Sequence, residues 1–536
     1  MKKLVGGILV IMGLAAGFVG AAYWSGIQAE HWYQEAMTEG AKNPNVKLST
    51  VRYERGLFSS QAVTQVQFAL PEGESQEADP SFSIRQDIYH GPLPLTSRGV
   101  PGLPMQWGGA VIRATLDPTS SAWTRELAKR YGDQEPLVAI SRVGFDGASD
   151  TQITIPPLTL SNTEDVQSLK FSGLQAQFRV APRGAAMQGN LTVASLDLVG
   201  KPTASEDQSA ANKGKPASGI GHIRLDDLSL NLNQRKGAFD LLYGDYSFRI
   251  GELRAQDQAS GAPLAVNNLT IAGTLSPQGT QQVAGEVEVK VDQITVNQQS
   301  QSGSLKLALR NLDGVTVTQL QELQQKLAIQ PEDPRMLDEL MKLFRTLLRG
   351  KPEFALDSQA KLILTVPTPS PQPASTQREG TGESATHAAE VPPGREGSEG
   401  TQLIQGEWQG SLTLNFQDPG EVNPLVDPSG LLGALEKGVA DVVASRKLIE
   451  ALLTTITQEQ LLAQAKVQGQ PVDPQAIERL AAQQVAQQLQ GLTAAGFLRL
   501  EGDQYKTSAR FEGGKLLVNG QEIPLAPGPG KSGSMF

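Results

Sequence analysis

Two short stretches hold the side chains best placed to do chemistry. YERGLFSSQA, residues 53–62, gathers Tyr53, Glu54, Arg55, Ser59 and Ser60 around Gly56, Leu57 and Phe58. A serine there is a nucleophile only if a base stands within about 3 Å of its hydroxyl, and the sequence places no candidate beside Ser60. YHGPLPL, residues 89–95, carries His90 at a bend imposed by Gly91 and two prolines. Its ring could serve as a base or hydrogen-bond the turn. The turn is the simpler use. In the first stretch, Arg55–Gly56 turns the chain, Leu57 and Phe58 anchor it, and the serines form the polar edge of a strand.

Little other chemistry is available. The remaining histidines are His31, His222 and His387, and no two histidines have metal-ligand spacing. Without cysteine there is no thiol nucleophile and no thiolate metal site. No GxSxG elbow occurs in a strand-turn-helix setting, and GGK at 513–515 lacks the rest of a phosphate loop. Carboxylates are plentiful but scattered. The expectation is therefore no catalytic residue, no cofactor and no metal, with binding residues undefined. A net charge of -10 without a basic patch argues against nucleic acid.

The elements that would position these stretches begin with Leu4–Trp24, 21 residues without a charge. Such a run spans roughly 30 Å of hydrocarbon as a helix. Lys2 and Lys3 keep the amino end cytoplasmic, and Tyr23 and Trp24 suit the far interface. Gly20 and Ala22 would fit a cleaved signal peptide, but the run exceeds the usual apolar length of one. Gly13 and Gly17 have the spacing of a helix-dimer contact, so a homodimer is one possible partner. QAEHWYQEAM, residues 28–37, reads as a short helix or stalk.

From Val46 to about residue 312 the chain keeps returning to period two, as in QAQFRV, GEVEVKV and GSLKLALR. With one polar face and no regular βα alternation, this predicts a large antiparallel sheet. Helices come late. Asp333–Pro334, Asp427–Pro428 and Asp473–Pro474 each set a cap acceptor before a first-turn proline. The first helix would show Leu337, Leu340, Met341, Phe344, Leu347 and Leu348 on one face. The second would show Leu431, Leu432, Leu435, Val439 and Val442, and the third Ile477, Leu480, Ala481, Val485 and Leu489. TQLQELQQKL adds a short helix with Thr318 and Gln321 in capping-box spacing. These faces either pack a core or line a cavity. Strands return in FALDSQAKLILTV, GEWQGSLTLNF and RFEGGKLLVNGQEIPL, the last with a tight Asn519–Gly520 turn.

The fold class expected is mainly β with α+β character: a large twisted antiparallel sheet, helices in the C-terminal half, and one transmembrane helix in front. The regions are an anchor at 1–25, a β-rich part at 26–312 with a loop insertion at 201–217, and helices and strands at 313–367. A disordered insertion at 368–400 and a mixed region at 401–536 follow.

YERGLFSSQ, YHGPLPL, SRVGFDG at 141–147, LLRGKPE at 347–353, GGKLLVNGQEIPL and the terminal SMF occur in this order. With the apolar start, the chain resembles the bacterial YdgA-like family, described as a domain of unknown function. The resemblance implies a single-pass inner-membrane protein with a periplasmic body, and carries no reaction or catalytic residues. The 368–400 tract is the main departure. Three roles compete: a non-enzymatic envelope protein acting through protein contacts, a lipid or hydrophobic-ligand transfer module similar in general plan to AsmA-like proteins, and an envelope hydrolase. An apolar trough lined by the 477–489 helix and facing strands would favour transfer over scaffolding.

Overall fold

The computed structural model describes residues 2–41, 46–68, 81–93, 107–163, 166–201, 220–257, 263–296, 299–329, 334–367, 401–418, 433–467 and 474–524, with the side chains of residues 2–17 outside that set. The predicted insertions at 201–217 and 368–400 therefore fall outside the described residues, apart from Lys201.

A 39-residue helix, α1 (Lys2–Gly40), leads into one antiparallel sheet with 22 strands among the described residues. β1 (Val46–Arg55), β2 (Ser59–Phe68), β3 (Ser81–His90), β4 (Ala110–Leu116), β5 (Val138–Val143) and β6 (Ser149–Ile155) pair in succession. β7 (Leu158–Ser161), β8 (Val166–Phe171) and β9 (Leu174–Val180) follow, and β6 pairs with β9. β8 and β9 lie along the two halves of β10 (Ala186–Gly200).

Long strands then pair each with the next: β11 (Ile220–Lys236), β12 (Leu242–Asp257), β13 (Pro263–Gln278), β14 (Gln282–Val296), β15 (Gln299–Asp313), β16 (Glu353–Pro367), β17 (Thr401–Phe416) and β18 (Leu435–Ser445). β19 (Arg499–Glu501), β20 (Gln504–Glu512), β21 (Lys515–Val518) and β22 (Gln521–Ile523) finish the sheet, with β20 on β18. Asn519 and Gly520 at positive φ make the expected tight turn.

The period-two pattern forms cross-strand rows on one face. Ile153 pairs with Ala176, Ala176 with Leu191, Leu191 with Leu230, and Leu230 with Phe248. The row continues through Ile271 and Val289 to Leu305. A parallel row joins Val287, Leu307, Leu356 and Leu412. The opposite face carries charge, including the Lys306–Glu286 ion pair at 2.7 Å. Where the apolar pattern slips by one residue, between Leu225 and Leu228 and between Val266 and Leu269, left-handed Asp227 (φ 55) and Asn268 (φ 51) take up the slip.

Helices cover this face only in places. α1 packs over β2–β5, where Ala29, Ala62, Ile88, Ala110 and Val143 form a core. α3 (Gly314–Ile329) and α4 (Pro334–Arg349) pack on each other through Leu323, Met336 and Leu343. α5 (Arg446–Val467) sets Leu448 over Gly406 of β17, and α6 (Pro474–Ala494) packs on α5 and β20 through Val485, Leu489, Ile449 and Tyr505. Between these contacts Leu305 is 45% exposed and Val287 37%.

Several expectations change. α2 (Ala122–Tyr131) adds a helix to the N-terminal half; Ser121 caps it in a reciprocal box with Thr124. α3 starts earlier than expected because Asp313 accepts from the Thr316 amide, leaving Thr318 to donate to the Phe239 carbonyl. On α4 the predicted face holds in part: Leu348 is buried and Leu340, Met341, Phe344 and Leu347 are half-buried, but Leu337 is 62% exposed and Met336 and Leu343 join the buried side. Leu435, Val439 and Val442 belong to strand β18: pairing with β17 on one side and β20 on the other outweighs helical spacing. Leu431 and Leu432 lie outside the described residues. The helix of that region is α5, which the sequence reading missed. α6 holds Ala481, Val485 and Leu489 in a packed core, and Val485 and Leu489 also edge a hollow of about 660 Å³ that mixes apolar groups with Arg446, Glu450 and Tyr505, so it is no continuous apolar trough.

The apolar Leu4–Trp24 run and the 28–37 stretch form one continuous helix, so α1 passes residue 25 unbroken. Among the described residues no helix is long and apolar enough to cross a membrane; most side chains of that run lie outside them.

Candidate functional site

Three of the stretches singled out in the sequence meet at α1. From Ala22 onward, α1 turns Ala22, Ser25, Gly26 and Ala29 inward at helical spacing, all at most 5% exposed where a value is resolved. These small residues let the sheet approach the helix backbone. A Cβ on Gly26 would lie 2.7 Å from His90 Cε1. The imidazole thus occupies the space that the missing side chain leaves.

His90 Nδ1 lies 3.1 Å from the Ala22 carbonyl oxygen, and Nε2 lies 3.1 Å from Ser60 Oγ. The carbonyl can only accept, so Nδ1 carries the proton and Nε2 accepts from the Ser60 hydroxyl. The expectation that no base stands beside Ser60 is thereby corrected. Antiparallel register sets Ser60 opposite Ile88, which makes His90 its diagonal neighbour on the same face.

Serine, imidazole and a hydrogen-bonded orienting group form the order of a nucleophilic site. Here the orienter is an uncharged carbonyl, and the pair is sealed: Ser60 is 2% exposed and His90 1%. Burial pushes the His90 imidazole below its ordinary range, outweighing the main-chain hydrogen bonds at Ala22 and Ser59 that raise it. The group is neutral and enclosed, which suits a latch holding the helix. Beside it, burial raises the Tyr53 phenol, and the nearby Ser60 hydroxyl opposes that shift without meeting hydrogen-bond geometry.

The collar extends along α1. Tyr33 Oη lies 3.0 Å from Thr50 Oγ1 and 2.9 Å from Thr64 Oγ1, and its ring packs on Tyr53 with centroids 5.1 Å apart. Trp32 sits over Gly109 and Gly147, the latter in the turn of SRVGFDG. Arg55 pairs with Glu30 at 2.8 Å and lies 5.6 Å above the Tyr23 ring. Phe58 packs on Phe18, centroids 6.3 Å apart. The LLRGKPE junction lies elsewhere, with Gly350 accepting from Gln282.

Two consequences are measurable. Ser60→Ala should cost about 1–3 kcal/mol, because His90 Nε2 would be left buried without a donor; thermal unfolding of the full chain reads this. Acid should loosen the latch as well. The unfolded chain takes up the histidine proton first as pH falls, so stability present above about pH 6.5 is lost below it. His90→Gln should flatten that decline in melting temperature.

The other histidines do not join the site. His31 faces Glu35 on an exposed part of α1, His222 meets Asp197 at 3.0 Å, and His387 lies outside the described residues. Among the described residues no group of three metal-ligating side chains forms.

The second feature is the uncovered apolar face. A hollow of about 460 Å³ opens where β12–β15 meet α3, lined by Leu242, Tyr246, Leu275, Val287, Leu307 and Leu309, with Gln321 beside them. The sequence held one signal for it: from residue 186 to 313 the period-two pattern returns strand after strand, and among the described residues no α-helix intervenes between β10 and β15.

The family model described as a bacterial protein of unknown function (DUF945) matches residues 1–362 and 401–526, passing over the 368–400 tract. No curated protein and no solved structure matches the chain.

Proposed function

The chain belongs to the DUF945 family of bacterial proteins of unknown function, and from that premise we propose an anchored envelope protein whose long sheet takes up the hydrocarbon part of an amphiphile. The observation that carries this reading is the continuous row from Ile153 to Leu305, eight strands wide, ending on a leucine 45% exposed. Contiguous apolar surface, half-buried along most of the row and open at Leu305, favours a hydrophobic ligand. Strands β10–β17 are each 15–17 residues long, so the face is about 50 Å deep along the strands at roughly 3.3 Å per residue.

Leu4–Trp24 serves as the anchor in this reading, with Lys2 and Lys3 cytoplasmic and the body periplasmic, at the inner membrane, as in the YdgA-like resemblance. The role is non-enzymatic, because Ser60 and His90 are spent on holding α1. A role through protein contacts alone leaves the aliphatic rows without an occupant. The test is photocrosslinking in intact envelopes from benzoylphenylalanine placed at Phe248. Lipid adducts are the expected result; one stoichiometric protein adduct and no lipid would sink the transfer reading.

A further inference from the structure

The β1–β2 hairpin descends alongside α1 toward the helix N-terminus. Tyr53 lies against Tyr33, Arg55 against Glu30 and Tyr23, and Phe58 against Phe18. The hairpin tip therefore reaches the level of Phe18, inside the apolar Leu4–Trp24 run. From this we propose that the tip, Gly56–Leu57–Phe58, is immersed in the lipid bilayer beside the helix.

Lengths and chemistry carry the argument. The hairpin tip meets the helix at Phe18, through Phe58. Leu4–Gly17, the apolar stretch before it, is 14 residues, or about 21 Å of helix, some 9 Å short of a hydrocarbon core of roughly 30 Å. A bilayer can thin to meet a short span, at a cost that rises with each ångström. Immersing the tip removes the shortfall and buries apolar area instead.

The tip suits that place. Leu57 is 45% exposed, and on α1 Val19, Tyr23, Trp24 and Ile27 are 38–50% exposed at neighbouring depths. Charge is held above it: Arg55 reaches up to Glu30 and over Tyr23, the geometry of a snorkelling side chain at a membrane interface. Arg52 and Glu54 pair with each other still further from the tip.

The proposal rests on the anchor reading, and one experiment separates the two. The chain has no cysteine, so single substitutions carry a unique label. Val19→Cys, Leu57→Cys and the remote Leu337→Cys, which replaces a residue 62% exposed on α4, are each labelled with an environment-sensitive nitrobenzoxadiazole. The full chain is reconstituted in phosphatidylethanolamine–phosphatidylglycerol vesicles containing acyl-chain spin labels. The expected result is a blue shift and loss of emission at Leu57→Cys comparable with Val19→Cys, and neither at Leu337→Cys. Quenching at Val19→Cys with an aqueous spectrum at Leu57→Cys overturns the immersed tip and leaves the anchor standing. Aqueous spectra at both positions overturn both.

Discussion

Gly26→Leu should release α1 from the sheet. Any side chain at this position drives a carbon into the His90 ring, since even a Cβ would come within 2.7 Å. The ring has no free direction in which to yield, because it is tied at Nδ1 to Ala22 and at Nε2 to Ser60 and is 1% exposed. Overpacking costs about 1–3 kcal/mol, and an imidazole buried without partners costs about 1–3 kcal/mol more. The expected loss is several kcal/mol, read as a lower melting temperature and faster proteolysis after Gly40. His90→Gly in the same chain empties the space and should restore part of the loss, a coupling that marks direct contact. A Gly26→Leu chain that melts like the parent would show that the latch does not hold the helix.

The legibility of this molecule divides along sequence distance. Strands such as GEVEVKV and the helix starts at Pro334 and Pro474 were readable because the pattern lies within a few residues. The latch was not, although both its stretches stood out. Ser60 and His90 are separated by 30 residues, 69–80 among them, and only the β2–β3 register makes them neighbours. Gly26 gave no local sign of its use, since a glycine in a helix predicts nothing until the ring that fills its space is known. The Leu57–Phe58 anchor was legible only in part. Phe58 does pack, half-buried against Phe18, whereas Leu57 beside it is 45% exposed and anchors nothing within the described residues. β18 and α5 were confused because Leu435, Val439 and Val442 fit a helical spacing while their partners in β17 and β20 lie far off in the chain.

Carboxylates on the apolar face should abolish lipid capture while leaving the fold intact. Leu305 and Val287 lie in adjacent rows and are 45% and 37% exposed. An aspartate at either position keeps its water in the empty protein, so stability should change little, within about 0.5–1 kcal/mol. With hydrocarbon laid over it, the same carboxylate must lose that water or take up a proton, at a cost of several kcal/mol. A loss of about 3 kcal/mol lowers affinity by roughly a hundredfold. Leu305→Asp with Val287→Asp should therefore remove lipid adducts formed from Phe248, with a melting temperature only slightly lowered. Ser304→Asp supplies the control: it adds the same charge one residue away on the opposite face, across from Lys290, and should leave the adducts in place. If the double variant still captures lipid as the parent does, the hydrocarbon does not lie on these rows. If Ser304→Asp removes the adducts equally, net charge at the envelope governs capture, and the apolar face is not the binding surface.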